Sequence, residues 1–596
     1  MTTDQIIVFA VLFLVLVLFI MGRWRYDVVA LLALLAVAVT GIVPGGQAFV
    51  GFGHPAVVTV AAVLVVSRGL QNSGVVDTIA GWMLRVGDRP FFQVTALTGL
   101  VGILSAFMNN VGALALLMPV AVQMARKNTR SPSFLLMPLA FGSLLGGTMT
   151  LIGTPPNIII STFRTETGGA PFRMFDFAPV GVGAALAGLL FVSLVGWRLI
   201  PKRKGQTSRE ELFHVGEYMT EVRLPEDSKM VGRFLRDLEA EAEADVAVMG
   251  LVRGEKRLLV PSSYETLRAN DILIVEADPE ALKVLVDGTG VELVGSKELG
   301  EEVLGSDEVS VIESVIMPDS PIVGRTAWSL NLRWRYGVNL LAVARQGERL
   351  RERLGRIQFN PGDVLLLQGQ TETLQEALLT LGCLPLAERG LRIGQPRRVL
   401  FSAGLFGAAI ALTALDLLPV QIAFVGAAVV MVLVGLLSLR EVYDSIDWPV
   451  IVLLGAMIPV GQALESTGGA KIIAEYLLNA AGQMSPVLTL AVVLLGTMAL
   501  SNVLNNAATA ILMAPIAISI ARGLGASADP FLMGVAVGAS CAFLTPIGHQ
   551  SNTLVMGPGG YKFSDYWRMG LPLSMVVVLA AIPLILRFWP LGLSTP

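Results

Sequence analysis

The chain has 596 residues, 54% of them hydrophobic and 15% charged, with a net charge of -3 and a mean hydropathy of +0.69. These values exclude an ordinary water-soluble protein and leave no basic footprint for nucleic acid. The two cysteines, Cys383 and Cys541, imply no disulfide framework.

The N-terminal stretch MTTDQIIVFAVLFLVLVLFIM lacks a basic leader and a small-residue cleavage site, so it reads as a membrane span and not as a removable signal. A span needs about 17–25 apolar residues. Stretches 5–21, 27–43 and 55–71 qualify. Stretch 92–125 is interrupted at Asn109-Asn110 and is too short for two full spans, so it reads as a re-entrant hairpin. Stretch 132–163 reads as a helix broken at Gly153–Asn157, and 178–200 as a further span. Irregular backbone at membrane depth survives only where protein or a cavity shields it.

Charge then crowds into about 201–398. This insert is duplicated: LPEDSKMVG (224–232) resembles MPDSPIVG (317–324), and RANDILIVEADPEAL (268–282) resembles NPGDVLLLQGQTETL (360–374). Short β-branched runs, a helix-like stretch and a turn at Asn270-Asp271 or Pro361-Gly362-Asp363 predict two small α/β domains, 201–299 and 300–395. The acidic linker 296–309 reads as flexible and Lys202-Arg203-Lys204 as a topology anchor. Residues 396–596 return to the membrane, with spans at 399–415, 419–437, 448–464 and 571–588, a hairpin at 485–521 and a broken helix at 531–557.

The membrane segments are also duplicated. NNVGALALLMP (109–119) matches NNAATAILMAP (505–515), and TLIGTPPN (150–157) matches TPIGHQSN (545–552). The expected fold is therefore a polytopic α-helical membrane protein of two repeats, 1–200 and 396–596, around a soluble α/β insert. A hairpin makes no net crossing, so each repeat crosses five times and the two are inverted. Arg and Lys gather on one side, which predicts a cytoplasmic insert, both termini outside and a cell inner membrane.

Polar, uncharged residues fill the interruptions: Asn109, Asn110, Thr154, Asn157, Asn505, Asn506, Thr509, His549, Ser551, Asn552 and Thr553. A proton-coupled carrier usually needs a buried Asp, Glu or His, and the hairpins hold no carboxylate. Sodium needs only oxygen ligands, so sodium coupling is expected, with His549 the one reservation. No Arg or Lys stands in these segments to hold an anion. Helix N-termini after Asn110, Asn157, Asn506 and Asn552, with the Asn amides, would do so. The competing explanations are amide glue between helices, a packing role for His549, and a plain turn at GPGG (557–560), which lacks the Lys and Ser/Thr of a phosphate loop. No paired carboxylates or nucleophile–His arrangement points to an enzyme.

With these motifs the chain resembles the divalent anion–sodium symporter (DASS) family of the ion transporter superfamily. That family carries Ser-Asn-Thr at each hairpin tip; the matching positions here are Asn109-Asn110-Val111 and Asn505-Asn506-Ala507. The resemblance implies an elevator-type homodimer with a scaffold and a moving domain. It implies sodium sites at Asn109, Asn110 and Gly153, and at Asn505, Asn506 and Gly548. The anion would meet Asn110, Val111, Thr154, Pro155, Asn157, Asn506, Ala507, Thr509, His549, Ser551, Asn552 and Thr553. The missing Ser and Thr look more like the sulfate-type and arsenite-type relatives. The insert resembles a pair of TrkA-C (RCK C-terminal) domains, which implies regulation by a small molecule. No cofactor is expected besides sodium as the coupling ion. Sulfate is the leading substrate; a dicarboxylate, phosphate or arsenite carrier, or a ligand-gated channel, are the alternatives.

Overall fold

Apolar length fixes the outer thirds of the chain as helices, and alternating β-branched runs fix the middle as sheets. The computed structural model describes the chain apart from short stretches, the longest of which are 74–82, 202–218, 295–308 and 387–395. Lys202–Lys204 and most of the linker 296–309 lie outside the described residues.

The first membrane part holds α1 (Thr3–Met21), α2 (Tyr26–Val39), α3 (Pro55–Asn72), α4 (Pro90–Ser105), α5 (Asn110–Lys127), α6 (Ser133–Gly147), α7 (Pro155–Glu166) and α8 (Ala178–Phe191). The last runs on through a π turn to Leu199.

The middle forms two five-stranded antiparallel sheets. The first contains β1 (Met219–Arg223), α9 (Leu235–Glu241), β2 (Val246–Arg253), β3 (Lys256–Leu258), β4 (Ile272–Ala277), α10 (Pro279–Thr289) and β5 (Glu292–Val294), in strand order β3-β2-β4-β1-β5. The second contains β6 (Val309–Ile316), α11 (Ala327–Leu330), α12 (Leu332–Tyr336), β7 (Val338–Arg345), β8 (Glu348–Arg349), β9 (Val364–Gln370), α13 (Thr371–Thr380) and β10 (Cys383–Pro385), in order β10-β6-β9-β7-β8. Their internal bonds repeat. Arg253 holds Asp271 with two bonds of 2.8 Å, and Arg345 holds Asp363 in the same way. The Asp271 hydrogen bond, with Glu265 adding to it, raises the Arg253 guanidinium above its ordinary value. The residue before each aspartate has a positive φ, Asn270 at 67° and Gly362 at 83°, a conformation that Asn and Gly tolerate.

The second membrane part holds α14 (Pro396–Ala414), α15 (Val420–Leu433), α16 (Leu439–Asp444), α17 (Trp448–Ser466), α18 (Gly469–Ala481), α19 (Pro486–Ser501), α20 (Asn506–Gly523), α21 (Ala528–Ser540), α22 (Gln550–Met556) and α23 (Tyr566–Phe588). Five described helices are long and apolar enough to cross a membrane: α3, α8, α17, α20 and α23. The short amphipathic helix α18 was not foreseen from the sequence.

Helices α1–α3, α14, α15 and α17 pack on one another as one group, and α4–α8 with α19–α23 as a second. Within the second group, α22 crosses onto α5 and α6, while α7 crosses onto α20 and α21. Each broken helix thus reaches into the other repeat. A buried tie and a half-buried one hold this arrangement. The Tyr561 hydroxyl inserts into the first turn of α6, donating to the Ser133 carbonyl and accepting from Met137 N–H at 2.9 Å, beside Pro138. Arg164 at the end of α7 grips Asp529 at the start of α21 with two bonds of 2.8 and 2.7 Å. Its guanidinium also stacks 4.2 Å from the Phe172 ring centre.

The breaks differ from expectation. The sequence reading puts the first at Gly153–Asn157; the structure unwinds 148–154 and starts α7 at Pro155. Proline at the start of a helix needs no N–H partner and arrives with a helical φ, so Pro155-Pro156 begin the helix instead of breaking it.

Candidate functional site

Both hairpin tips use the same parts. Ser105 ends α4, and its hydroxyl lies 2.7 Å from the Ser143 carbonyl and 2.7 Å from the Asn110 amide. Ser501 ends α19, and its hydroxyl lies 2.6 Å from the Ala539 carbonyl and 3.0 Å from the Asn506 amide. A hydroxyl has one proton, and the carbonyl takes it. Asn110 therefore turns its NH2 toward Ser105, where it also donates to the Ser143 and Gly153 carbonyls at 3.2 Å each.

That orientation puts the Asn110 side-chain oxygen at the position 3.4 Å from His549 Nε2. His549 Nδ1 accepts from the Ser551 N–H at 3.0 Å, so the neutral ring carries its proton on Nε2 and donates to that oxygen. The amide and the imidazole orientations agree. Two candidate residues from opposite repeats thus meet directly.

The unwound stretches are splinted alike. Asn157 Nδ2 donates to the Gly147 and Thr150 carbonyls at 3.2 and 2.8 Å, and Asn552 Nδ2 to the Ala542 and Thr545 carbonyls at 2.7 and 3.0 Å. Both amides reach back ten and seven residues. The Thr150 hydroxyl donates to the Ala106 carbonyl, and that of Thr545 to the Asn502 carbonyl at 2.7 Å, so each break is bound to its own hairpin tip. A Cβ on Gly153 would stand 2.6 Å from the Gly147 oxygen and 3.1 Å from that of Ala106; one on Gly548 would stand 2.9 Å from the Ser501 oxygen. Only glycine permits this approach.

The remaining candidates fall as follows. Asn109 and Asn505 cap α5 and α20, their side-chain oxygens accepting from Val111 N–H at 3.2 Å and Ala508 N–H at 2.8 Å. Val111 and Ala507 are the second residues of those helices, and Pro155 is the first of α7. The Ser551 hydroxyl lies 3.4 Å from that of Ser143, and the Thr553 hydroxyl is engaged with the Pro546 carbonyl at 2.7 Å. Thr154 Oγ1, Thr509 Oγ1, Asn552 Oδ1 and the Asn506 amide atom turned away from Ser501 are buried with no partner among the described residues. Such a group costs about 1–3 kcal/mol, and four of them on candidate residues suit a place that a ligand completes. A cavity of about 40 Å³ adjoins the first tip, between Val60, Val63 and Asp447 of one helix group and Asn109, Gly153 and Pro155 of the other.

Sequence reasoning missed Ser105, Ser501, Asn502 and Thr545. The serine pair could have been found, since it keeps the separation of the asparagines (501 − 105 = 506 − 110 = 396).

The family model described as citrate transporter (CitMHS) matches residues 16–538. An uncharacterized transporter of Synechocystis sp. is 32% identical over 97% of this chain and 96% of its own. A Chlamydomonas reinhardtii protein named as a sulfur deprivation response regulator is 30% identical over 92% of this chain and 96% of its own. Sodium/sulfate cotransporter 2 of the same alga is 28% identical over 56% of this chain and 40% of its own. With mirrored tips, splinted breaks and a family match along most of its length, the chain belongs to the CitMHS citrate transporter family, as a DASS-type permease.

Proposed function

We propose that this protein carries a small divalent anion, sulfate before others, together with sodium across a cell inner membrane. The observation that carries the reading is the duplicated bond set around Asn110 and Asn506, which builds two like cradles from uncharged oxygens and amides. Carbonyls and side-chain oxygens suit sodium. The anion is bound by N–H groups at the starts of α5, α7 and α20. Sodium adds positive charge beside it. The sulfate assignment is supported by the names of the algal relatives.

The first helix of each hairpin, 16 residues, is about 24 Å long and falls short of a bilayer core of about 30 Å, while the second, 18 residues, comes closer to it. This supports re-entrant hairpins in inverted repeats and an elevator movement of the second helix group against the first. The protein works as a homodimer joined through that first group. The insert is cytoplasmic, both termini are outside, and the two sheets are TrkA-C domains that bias the carrier through a ligand preferring one state. The family description supports a second substrate reading, a carboxylate anion.

Purified protein in liposomes should take up radiolabelled sulfate only with an inward sodium gradient, with weaker competition by succinate, citrate, phosphate or arsenite. Uptake indifferent to sodium would sink the coupling; stronger competition by citrate or succinate would move the substrate to carboxylates. In the same assay Gly153→Ala should lose about 100-fold, because its Cβ clashes with the Gly147 carbonyl at the end of α6 and crowds the hairpin tip at Ala106. Wild-type uptake in that variant would remove the tip contact from the mechanism.

A further inference from the structure

Helices α5 and α22 meet at their inner ends through Asn110 and His549, and their outer ends are held by the second sheet. Arg126, in the last turn of α5, pairs at 2.5 Å with Glu313 of β6, a carboxylate 2% exposed. Gly557 follows α22 directly and lies against the turn at Gly362. A Cβ on Gly557 would collide with the Gly362 carbonyl, and one on Gly362 would stand 2.7 Å from the Thr553 carbonyl. Strand pairing sets Glu313 opposite Leu366 and Val315 opposite Val364, so all four share one face of the sheet. Val315, Val364 and Leu366 are buried in one apolar cluster with the membrane helices, while Leu365 and Leu367 fill the unit's own core. The sheet is therefore buried on both faces.

The counterpart helices are held differently. Arg522 of α20 matches Arg126 in the repeat (522 − 126 = 396) but pairs at 3.0 Å with Glu465 of α17. The end of α7 is held by Asp529.

We propose that the second α/β unit is a positioning element of the transport site. Through Glu313 and the Gly362 turn it fixes the outer ends of α5 and α22, and so the spacing of Asn110 and His549 at their inner ends. Helix α22 has seven residues, about 10 Å, so a shift of the turn arrives at His549 with little room for absorption. A buried carboxylate deprived of its cation is strongly unfavourable, which makes the Arg126–Glu313 tie the stiff one. The effect on uptake rests on the transport reading; the mechanical claim does not.

The test compares Glu313→Gln and Gly557→Ala with wild type, as full-length protein in lipid nanodiscs. Hydrogen exchange should quicken about tenfold at 105–112 and 545–556 in both variants, a factor corresponding to about 1.4 kcal/mol. Trp328→Ala, at a position of the same unit that is 79% exposed, should match wild type. In liposomes both variants should raise the half-saturating sulfate concentration while keeping the maximal rate, and Arg126→Glu with Glu313→Arg should recover part of the loss. Faster exchange confined to β6–β9, with both tips and half-saturation unchanged, would overturn the proposal. A wild-type protein that carries no sulfate would count against the transport reading alone, since the exchange measurement needs no substrate.

Discussion

Asn110→Ala and Asn506→Ala should each reduce sodium-driven uptake to background while the protein still reaches the membrane. Each amide joins a hairpin tip to the neighbouring helix through Ser105 and Ser143 or through Ser501 and Ala539. Alanine removes both the amide oxygen and the NH2 donors. Loss of even an outer partner of a bound metal typically costs about 10–100-fold in affinity, and a ligand in direct contact costs at least as much. For Asn110 the loss extends across the repeats, because His549 Nε2 loses its acceptor. Asn110→Asp should not rescue, since a carboxylate lacks the donors that face the Ser143 and Gly153 carbonyls. Uptake rates measured against sodium concentration decide the matter: wild-type sodium dependence in both alanine variants would move the cation sites elsewhere.

Arg164→Ala should cause the largest loss of stability. Arg164 donates to both oxygens of Asp529, to the Ala170 carbonyl at 2.9 Å, and lies over the rings of Phe172 and Trp589. The side chains are 19% and 23% exposed, so screening lowers the value of a fully buried pair. About 2 kcal/mol remains, with stacking included. Thermal unfolding in detergent should shift clearly downward for Arg164→Ala, less for Arg164→Lys, which keeps the charge but not the bidentate grip. An unchanged midpoint would mean that the packing of α7 on α20 and α21 suffices alone.

Much of this was legible in the chain because duplication turns weak signals into paired ones. A single Asn-Asn in an apolar stretch is ambiguous; two, with proline nine residues after the second Asn of each pair, are not. The tips at Asn109-Asn110 and Asn505-Asn506 follow from that. The position of the first break does not follow, because Pro155-Pro156 lies inside the stretch that reads as the break yet serves as the first turn of α7. Asn157 and Asn552 stood out as polar, yet their use as splints depends on carbonyls freed only once the helix unwinds. The Arg126–Glu313 tie was out of reach: its partners are 187 residues apart, and Arg126 reads equally well as a flanking charge. GPGG at 557–560 read as a turn, which it is, but its first glycine also receives the second sheet.

Arg126 and Arg522 hold matching places in the duplicated membrane sequence and are answered by unlike carboxylates. A carrier assembled from inverted halves would idle evenly between its two facings if the halves were bound alike. Here one arginine is anchored to the second sheet, whereas its twin is anchored to a helix of the other group. Under the proposed elevator movement the empty protein would therefore have a preferred facing, and every 1.4 kcal/mol of that preference would be a tenfold excess of one orientation over the other.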